Sequence, residues 1–232
     1  MSKTENEKEK GNKKEKRRIL DKIDYGINIK ILTLGSSTVG KTTFIWKYIQ
    51  DSFLENTLLT TGIDIQTKII KTEDGKKYRC NFFDTAGEEK YHSISVSHFK
   101  NADAVILMYD ITNKKTYNEI SQWIKDIREY KGEGFPMILI GNKCDLEDER
   151  AVTFDQGKEL ANNYGLEFME TSNKDGTNIE EAGISIINKA IKIKEIKEKE
   201  AALKNEKIEN DKIILEKESK TKRKRKRKCL FF

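Results

Sequence analysis

Residues 35–42 read GSSTVGKT, which fills every fixed position of the phosphate-cradling pattern G-x-x-x-x-G-K-[ST]. Gly35 and Gly40 let the backbone turn until successive N–H groups, from Ser36 through Ser37, Thr38 and Val39 to Thr43, face phosphate oxygens. The helix that follows adds the positive end of its dipole. Lys41 is expected to set its ammonium against the β- and γ-phosphates, and the Thr42 hydroxyl to ligate Mg2+. The bland alternative is a plain turn that happens to carry a lysine. At average residue frequencies that accident occurs in roughly one chain of this length in a hundred. The setting lowers it further: the β-branched run INIKILTL (Ile27–Leu34) precedes the loop, and TTFIWKYI follows it with helical spacing of apolar residues.

The next candidates would sense the terminal phosphate. FDTAGEE (Phe83–Glu89) leaves Asp84 just past the end of a strand, where its carboxylate can hold Mg2+ through a water, and Gly87 would offer its N–H to the γ-phosphate. Thr60, in the stretch before the second strand, can add another hydroxyl to the metal while that phosphate is present. Its loss would free the loop.

GNKCD (Gly141–Asp145) follows the apolar run FPMILI and bears on the base. A carboxylate at Asp145 can accept from guanine N1–H and the exocyclic amino group together, whereas adenine presents an acceptor there. Such a buried mismatch discriminates by about 10⁴ to 10⁵. Asn142 would brace the loops, the Lys143 stem would cover one face of the base and Phe53 the other. ETSNK (Glu170–Lys174) can supply the Ser172 hydroxyl to orient Asp145 and the Asn173 backbone N–H to the guanine carbonyl oxygen, with Lys174 completing the loop.

Positioning these segments requires a layered fold. IDIQTKII and YRCNFFD flank TEDGKK, whose Asp74-Gly75 pair marks a hairpin and hence one antiparallel edge strand. ADAVILMYD and FPMILIGN read as strands buried on both faces, each followed by a helical pattern, and LEFME precedes a helix beginning near Thr177. The expectation is an α/β, three-layer domain: a six-stranded, mostly parallel sheet with helices on both faces. Ligands of such sheets lie beyond the carboxyl ends of the strands, where all of these motifs fall.

Charge concentrates at the ends of the 232-residue chain. Residues 1–24 are expected to be a charged, disordered extension, 25–193 the folded domain, and 194–232 a charged tail that cannot bury enough apolar surface to offset ordering. The formal net charge is +6, yet Lys222–Lys228 (KRKRKRK) alone carries seven positive charges, so the remainder is close to neutral. No nucleic-acid-binding face is therefore implied. Cys80, Cys144 and Cys229 lack metal-ligand spacing and suit a reducing compartment. No signal peptide and no apolar run long enough to span a bilayer is read in the sequence.

Together the motifs resemble the small GTPases of the Ras superfamily across nearly all of Ile27–Ile193, and TGIDI (from Thr61), KYHSIS (from Lys90) and LMYDIT (from Leu107) are most similar to the Rab family. The interval between GNKCD and ETSNK is too short for the additional helix of Rho proteins. The resemblance implies a GTP/GDP switch with Mg2+ that hydrolyses GTP slowly, with Lys41 and position 88 at the catalytic centre. It also implies an exchange factor, a GTPase-activating protein, a GDP-dissociation inhibitor or escort protein, and effectors reading residues 57–65 and 88–99. The implied setting is vesicle traffic on the cytoplasmic face of an intracellular or plasma membrane, cycling with the cytosol.

Several positions depart from the family pattern. The water-orienting Gln is Glu88, the aromatic before D-T-A-G is Phe83 rather than Trp, Thr61 stands in place of Ile, and Asn173 replaces a small Ala. A Ras-like signalling GTPase and a GTP-binding module without useful hydrolysis remain as alternatives. The C-terminus, CLFF, carries one cysteine rather than a pair and fits C-a-a-X ending in Phe, which favours geranylgeranylation of Cys229. One lipid chain anchors only marginally, and basic residues near an anionic leaflet add about 1 kcal/mol each. The basic run beside Cys229 would be the second signal, although alone it also fits nuclear localisation or a solvated charge run.

Overall fold

The computed structural model describes residues 27–51, 63–85 and 101–228, with side chains as far as Lys204 except Ile63 and Ala202. Phe53, Thr60, Gly87, Glu88 and Cys229 lie outside the described residues. In chain order the elements are β1 (Ile27–Leu34), α1 (Lys41–Gln50), β2 (Ile63–Lys71), β3 (Lys77–Thr85), β4 (Ala104–Asp110), α2 (Lys114–Lys131), β5 (Met137–Asn142), α3 (Phe154–Asn163), β6 (Glu167–Thr171) and α4 (Ile179–Lys228), with a short 3-10 turn at Glu147–Glu149.

The six strands form one sheet in the order β2-β3-β1-β4-β5-β6. β2 pairs antiparallel with β3, whereas β3–β1, β1–β4, β4–β5 and β5–β6 pair in parallel. This is the expected mostly parallel sheet with one antiparallel edge. The edge arises because β2 and β3 are joined by a tight turn in which Gly75 N–H donates to Thr72 O at 2.9 Å and Gly75 takes φ +82°, a left-handed conformation that glycine adopts without strain. The parallel neighbours need crossover connections, which α2 supplies between β4 and β5 and α3 between β5 and β6.

Strand alternation divides the core between the two faces of the sheet. Leu32 and Leu34 of β1 join Leu107 and Tyr109 of β4 under Ile120, Ile124 and Ile127 of α2 and Ala161 of α3. The α2 residues recur at spacings of four and three, the apolar stripe of a helix with one buried face. On the opposite face Tyr48 of α1 stacks with Phe44 and meets Phe82 of β3 edge to face, with centroids 5.5 Å apart. Each such fully buried side chain contributes roughly 1.5–3 kcal/mol. β4 is buried at every one of its residues, which explains why its sequence reads as an uninterrupted apolar run rather than an alternation.

Caps fix the helix ends. α2 starts at Asn113, whose side chain accepts from Lys115 N–H, and α3 starts at Thr153 with a reciprocal capping box to Gln156. The chain divides into two units, Met1–Ile187 and Asn188–Phe232. The segment whose composition marks it as unable to bury apolar surface is nevertheless helical to Lys228. Lys, Glu and Ala are strong helix formers, and opposite charges four apart stabilise an exposed helix without a buried face. No helix among the described residues is long and apolar enough to cross a membrane.

Gly157 sits where α3 crosses the sheet. A Cβ there would lie 2.4 Å from both Phe168 Cζ and the Tyr109 hydroxyl, and Tyr109 is wholly buried. Gly157→Ala is therefore expected to lower stability by about 1–3 kcal/mol through overpacking, despite the better helix propensity of alanine. Equilibrium urea unfolding of the two proteins checks this.

Candidate nucleotide-binding site

The glycine loop spans the gap between the end of β1 and the start of α1. Gly35 takes φ +141°, Thr38 φ +63° and Gly40 φ +102°, so three left-handed residues bend the backbone within six positions. Such alternation turns consecutive N–H groups to one side as an anion nest. Gly35 has a second constraint: a Cβ would stand 2.1 Å from Met108 O of β4. The Thr38 conformation has no glycine to mark it in the sequence.

Four carbonyls of the loop, those of Gly35, Ser36, Val39 and Gly40, are engaged. Lys41, 5 % exposed, donates from Nζ to Gly35 O at 2.8 Å and to Ser36 O at 2.7 Å, which holds its ammonium inside the ring of the loop. Asn142 Nδ2 donates to Val39 O at 2.8 Å, and Asn142 Oδ1 accepts from the Thr171 hydroxyl at 3.0 Å. Asn173 Nδ2 donates to Gly40 O at 2.9 Å. The Ser36 hydroxyl donates to Glu119 of α2. Ser37 lies in the same turn, and Thr43 closes the first helical turn through Oγ1 to Gly40 O at 3.0 Å.

Asp84 lies within the last two residues of β3 rather than just past its end as expected, because the ladder to β1 and β2 extends through it; there the Thr42 hydroxyl donates to Asp84 Oδ2 at 2.7 Å, and Asp84 is 3 % exposed. A hydroxyl and a carboxylate are hard oxygen donors, and Mg2+ prefers one or two protein oxygens together with phosphates and waters. The pair fits that ion. No group of three or more His, Cys, Asp or Glu able to hold a metal occurs among the described residues.

The base segments converge from two strand ends. Ser172 donates to Asp145 Oδ1 at 2.7 Å, and Ser172 Oγ also accepts the N–H groups of Lys174 and Asp175 at 3.2 Å. Asp145 is thereby aimed by a hydroxyl that is itself fixed by backbone. Lys143 takes φ +68° and pairs its ammonium with Asp110 at the end of β4. Cys144 N–H donates to Thr171 O at 3.1 Å, stitching the two segments together. Burial first, then the charges of Asp175, Glu170 and Asp145, push the Cys144 thiol up to about 11, so it stays protonated at neutral pH.

Three supporting residues carried no local signal. Glu119 holds Ser36, and Asp110 holds Lys143. Arg150 grips Glu170 bidentately, with Nη1 to Oε1 at 2.6 Å and Nη2 to Oε2 at 2.8 Å, immediately before the Thr171–Asn173 turn. Each lies far in sequence from the segment it supports, so only the folded sheet reveals the pairing.

The profile of the Ras family matches residues 30–192. Over 158 residues the chain is 42% identical to the Ras-related protein Rab-3A of Homo sapiens, an alignment covering 68% of this chain and 71% of that one. It is 38% identical over 170 residues to the Ras-related protein Rab-3 of Caenorhabditis elegans, covering 73% and 75%. It is also 38% identical over 159 residues to the Ras-related protein RIC1 of Oryza sativa subsp. japonica, covering 68% and 78%. With the phosphate loop, the hard-oxygen pair and the base segments carried on this sheet, the chain belongs to the Ras family of small GTPases and is most like its Rab members.

Proposed function

We propose that the chain is a membrane-attached switch of vesicle traffic that binds GTP or GDP with Mg2+ and hydrolyses GTP slowly. The observation that carries the nucleotide reading is the Ser172–Asp145 bond at 2.7 Å beside the Asn142–Val39 bond at 2.8 Å, because together they tie a carboxylate suited to guanine to the loop suited to phosphate. The distance between base and phosphates is then set by the protein before the ligand arrives. The vesicle and membrane parts rest on the likeness to Rab proteins and on the tail sequence.

In this reading Gly35 to Thr43 cradle the phosphates, Lys41 neutralises developing charge, and Phe53 and the Lys143 stem sandwich the base. Asp145 accepts from its edge while the Asn173 backbone N–H donates to its carbonyl oxygen. Thr42, Thr60 and Asp84 would hold Mg2+, which supplies charge neutralisation between the β- and γ-phosphates. Gly87 would donate its N–H to the γ-phosphate, and Lys174 completes the base loop. An exchange factor, a GTPase-activating protein, a GDP-dissociation inhibitor or escort protein and effectors complete the cycle. Prenylation of Cys229 with the basic run Lys222–Lys228 would attach the protein to the cytoplasmic face of a membrane.

Asp145→Asn is expected to weaken GTP binding by about 2–3 kcal/mol, because a single amide oxygen replaces the two carboxylate oxygens and cannot accept both guanine donors as well. It should improve binding of a xanthine nucleotide relative to GTP, since xanthine presents an acceptor where guanine has an amino group. Titration of both nucleotides against both proteins is the check, and a variant that keeps the parent's affinity for GTP would overturn the base assignment.

Glu88 decides whether the chain hydrolyses GTP efficiently or holds it. A carboxylate lacks the amide donor that orients the attacking water and adds charge beside the triphosphate. Rab-type activating proteins supply a glutamine of their own, so stimulated hydrolysis is expected to survive while the intrinsic rate rises in Glu88→Gln. Single-turnover hydrolysis with and without such a partner reads both, and equal rates in both conditions would remove position 88 from catalysis.

Mass spectrometry of the C-terminus in cells is expected to show a geranylgeranyl group on Cys229. A Cys229→Ser variant should leave the membrane fraction. An unmodified cysteine, or a serine variant that stays fully membrane-bound, rules out the lipid anchor.

A further inference from the structure

Asn173 stands where the family has a small alanine, and its side chain does something that alanine cannot. Its Nδ2 donates both to Gly40 O at 2.9 Å and to the Thr43 hydroxyl at 3.0 Å. Gly40 is the N-cap of α1 and has no side chain to cap with, while its carbonyl also accepts Phe44 N–H at 2.9 Å. The approach is close: a Cβ on Gly40 would lie 2.7 Å from Asn173 Nδ2 and 2.2 Å from Asn142 Nδ2. Asn173 is 5 % exposed and its Oδ1 has no hydrogen-bond partner, so the amide is held in place by its donor side alone. Burying that oxygen unpaired is costly, and the two donated bonds must offset it.

We infer that Asn173 is a positioning residue that latches the base loop to the first turn of α1, so that guanine and phosphates are released together and slowly. Asn142 holds Val39 O from one base segment, and Asn173 holds the next carbonyl, Gly40 O, from the other. A single latch leaves one base segment free to lift while the phosphate loop stays closed. Two latches on consecutive peptides remove that partial opening. The same residue would also meet the base through its backbone N–H, which would join the base to the loop that its side chain holds. This inference rests on the nucleotide reading above and adds a kinetic property to it.

The test is the release rate of a fluorescent GDP from the full-length parent, Asn173→Ala and Asn173→Asp, with thermal unfolding in excess GDP measured beside it. Asn173→Ala should release GDP about 3- to 10-fold faster, the effect of one buried hydrogen bond. Asn173→Asp keeps the shape but places an acceptor against the Gly40 carbonyl, so its release should be faster still. Both variants should still unfold in one cooperative transition in excess GDP, which separates a latch from general damage to the fold. Release from a folded Asn173→Ala protein at the parental rate overturns the latch, as does faster release accompanied by loss of that cooperative transition. A parent that retains no guanine nucleotide overturns the nucleotide reading itself, and the latch with it.

Discussion

A backbone that turns its N–H groups inward to meet an anion must turn its carbonyls outward, and each buried carbonyl then requires a donor. That constraint organises the site. Gly35 O and Ser36 O are satisfied by Lys41, Val39 O by Asn142, and Gly40 O by Phe44 N–H, Thr43 and Asn173. The donors arrive from the loop itself, from the end of β5 and from the turn after β6. The segments proposed to read the base thus also complete the backbone of the glycine loop.

The sheet makes this convergence cheap in entropy. β1, β5 and β6 run parallel, so their carboxyl ends share one edge, and the side chains there are held by a core in which β4 is wholly buried. Close packing of that kind resists small displacements. Arg150 extends it outward by gripping Glu170 just before the base loop, and Glu119 does so by reaching back from α2 to Ser36.

Patterning made the sheet legible: INIKILTL coincides with β1, the Asp74-Gly75 turn separates β2 from β3, and the helical pattern after ADAVILMYD folds as α2. The loop glycines were legible because their conformations require them. Thr38 was not, because nothing in its residue type announces a left-handed turn. Glu119, Asp110 and Arg150 were hidden for another reason: a charged side chain on a helix or turn reads as solvated surface until the fold brings its partner alongside. The Asn173 side chain was passed over because the base needs only its backbone. The long helix to Lys228 was obscured by a composition that argues against burial, which a charged helix does not need.

The β2–β3 hairpin carries a mechanical consequence. Its register begins with Ile63 opposite Thr85, so the chain enters β2 and leaves β3 at the same end, beside Asp84, while the turn at Thr72–Lys76 lies at the other. The segment ahead of Ile63 and the segment after Thr85 are therefore tied at adjacent rungs of one ladder. Tension on either is transmitted across the rung to its neighbour before it reaches the parallel strands. Slippage by one residue would swap the faces of every side chain on β2, so the ladder behaves as a stiff yoke: two segments distant in sequence are harnessed to pull as a team.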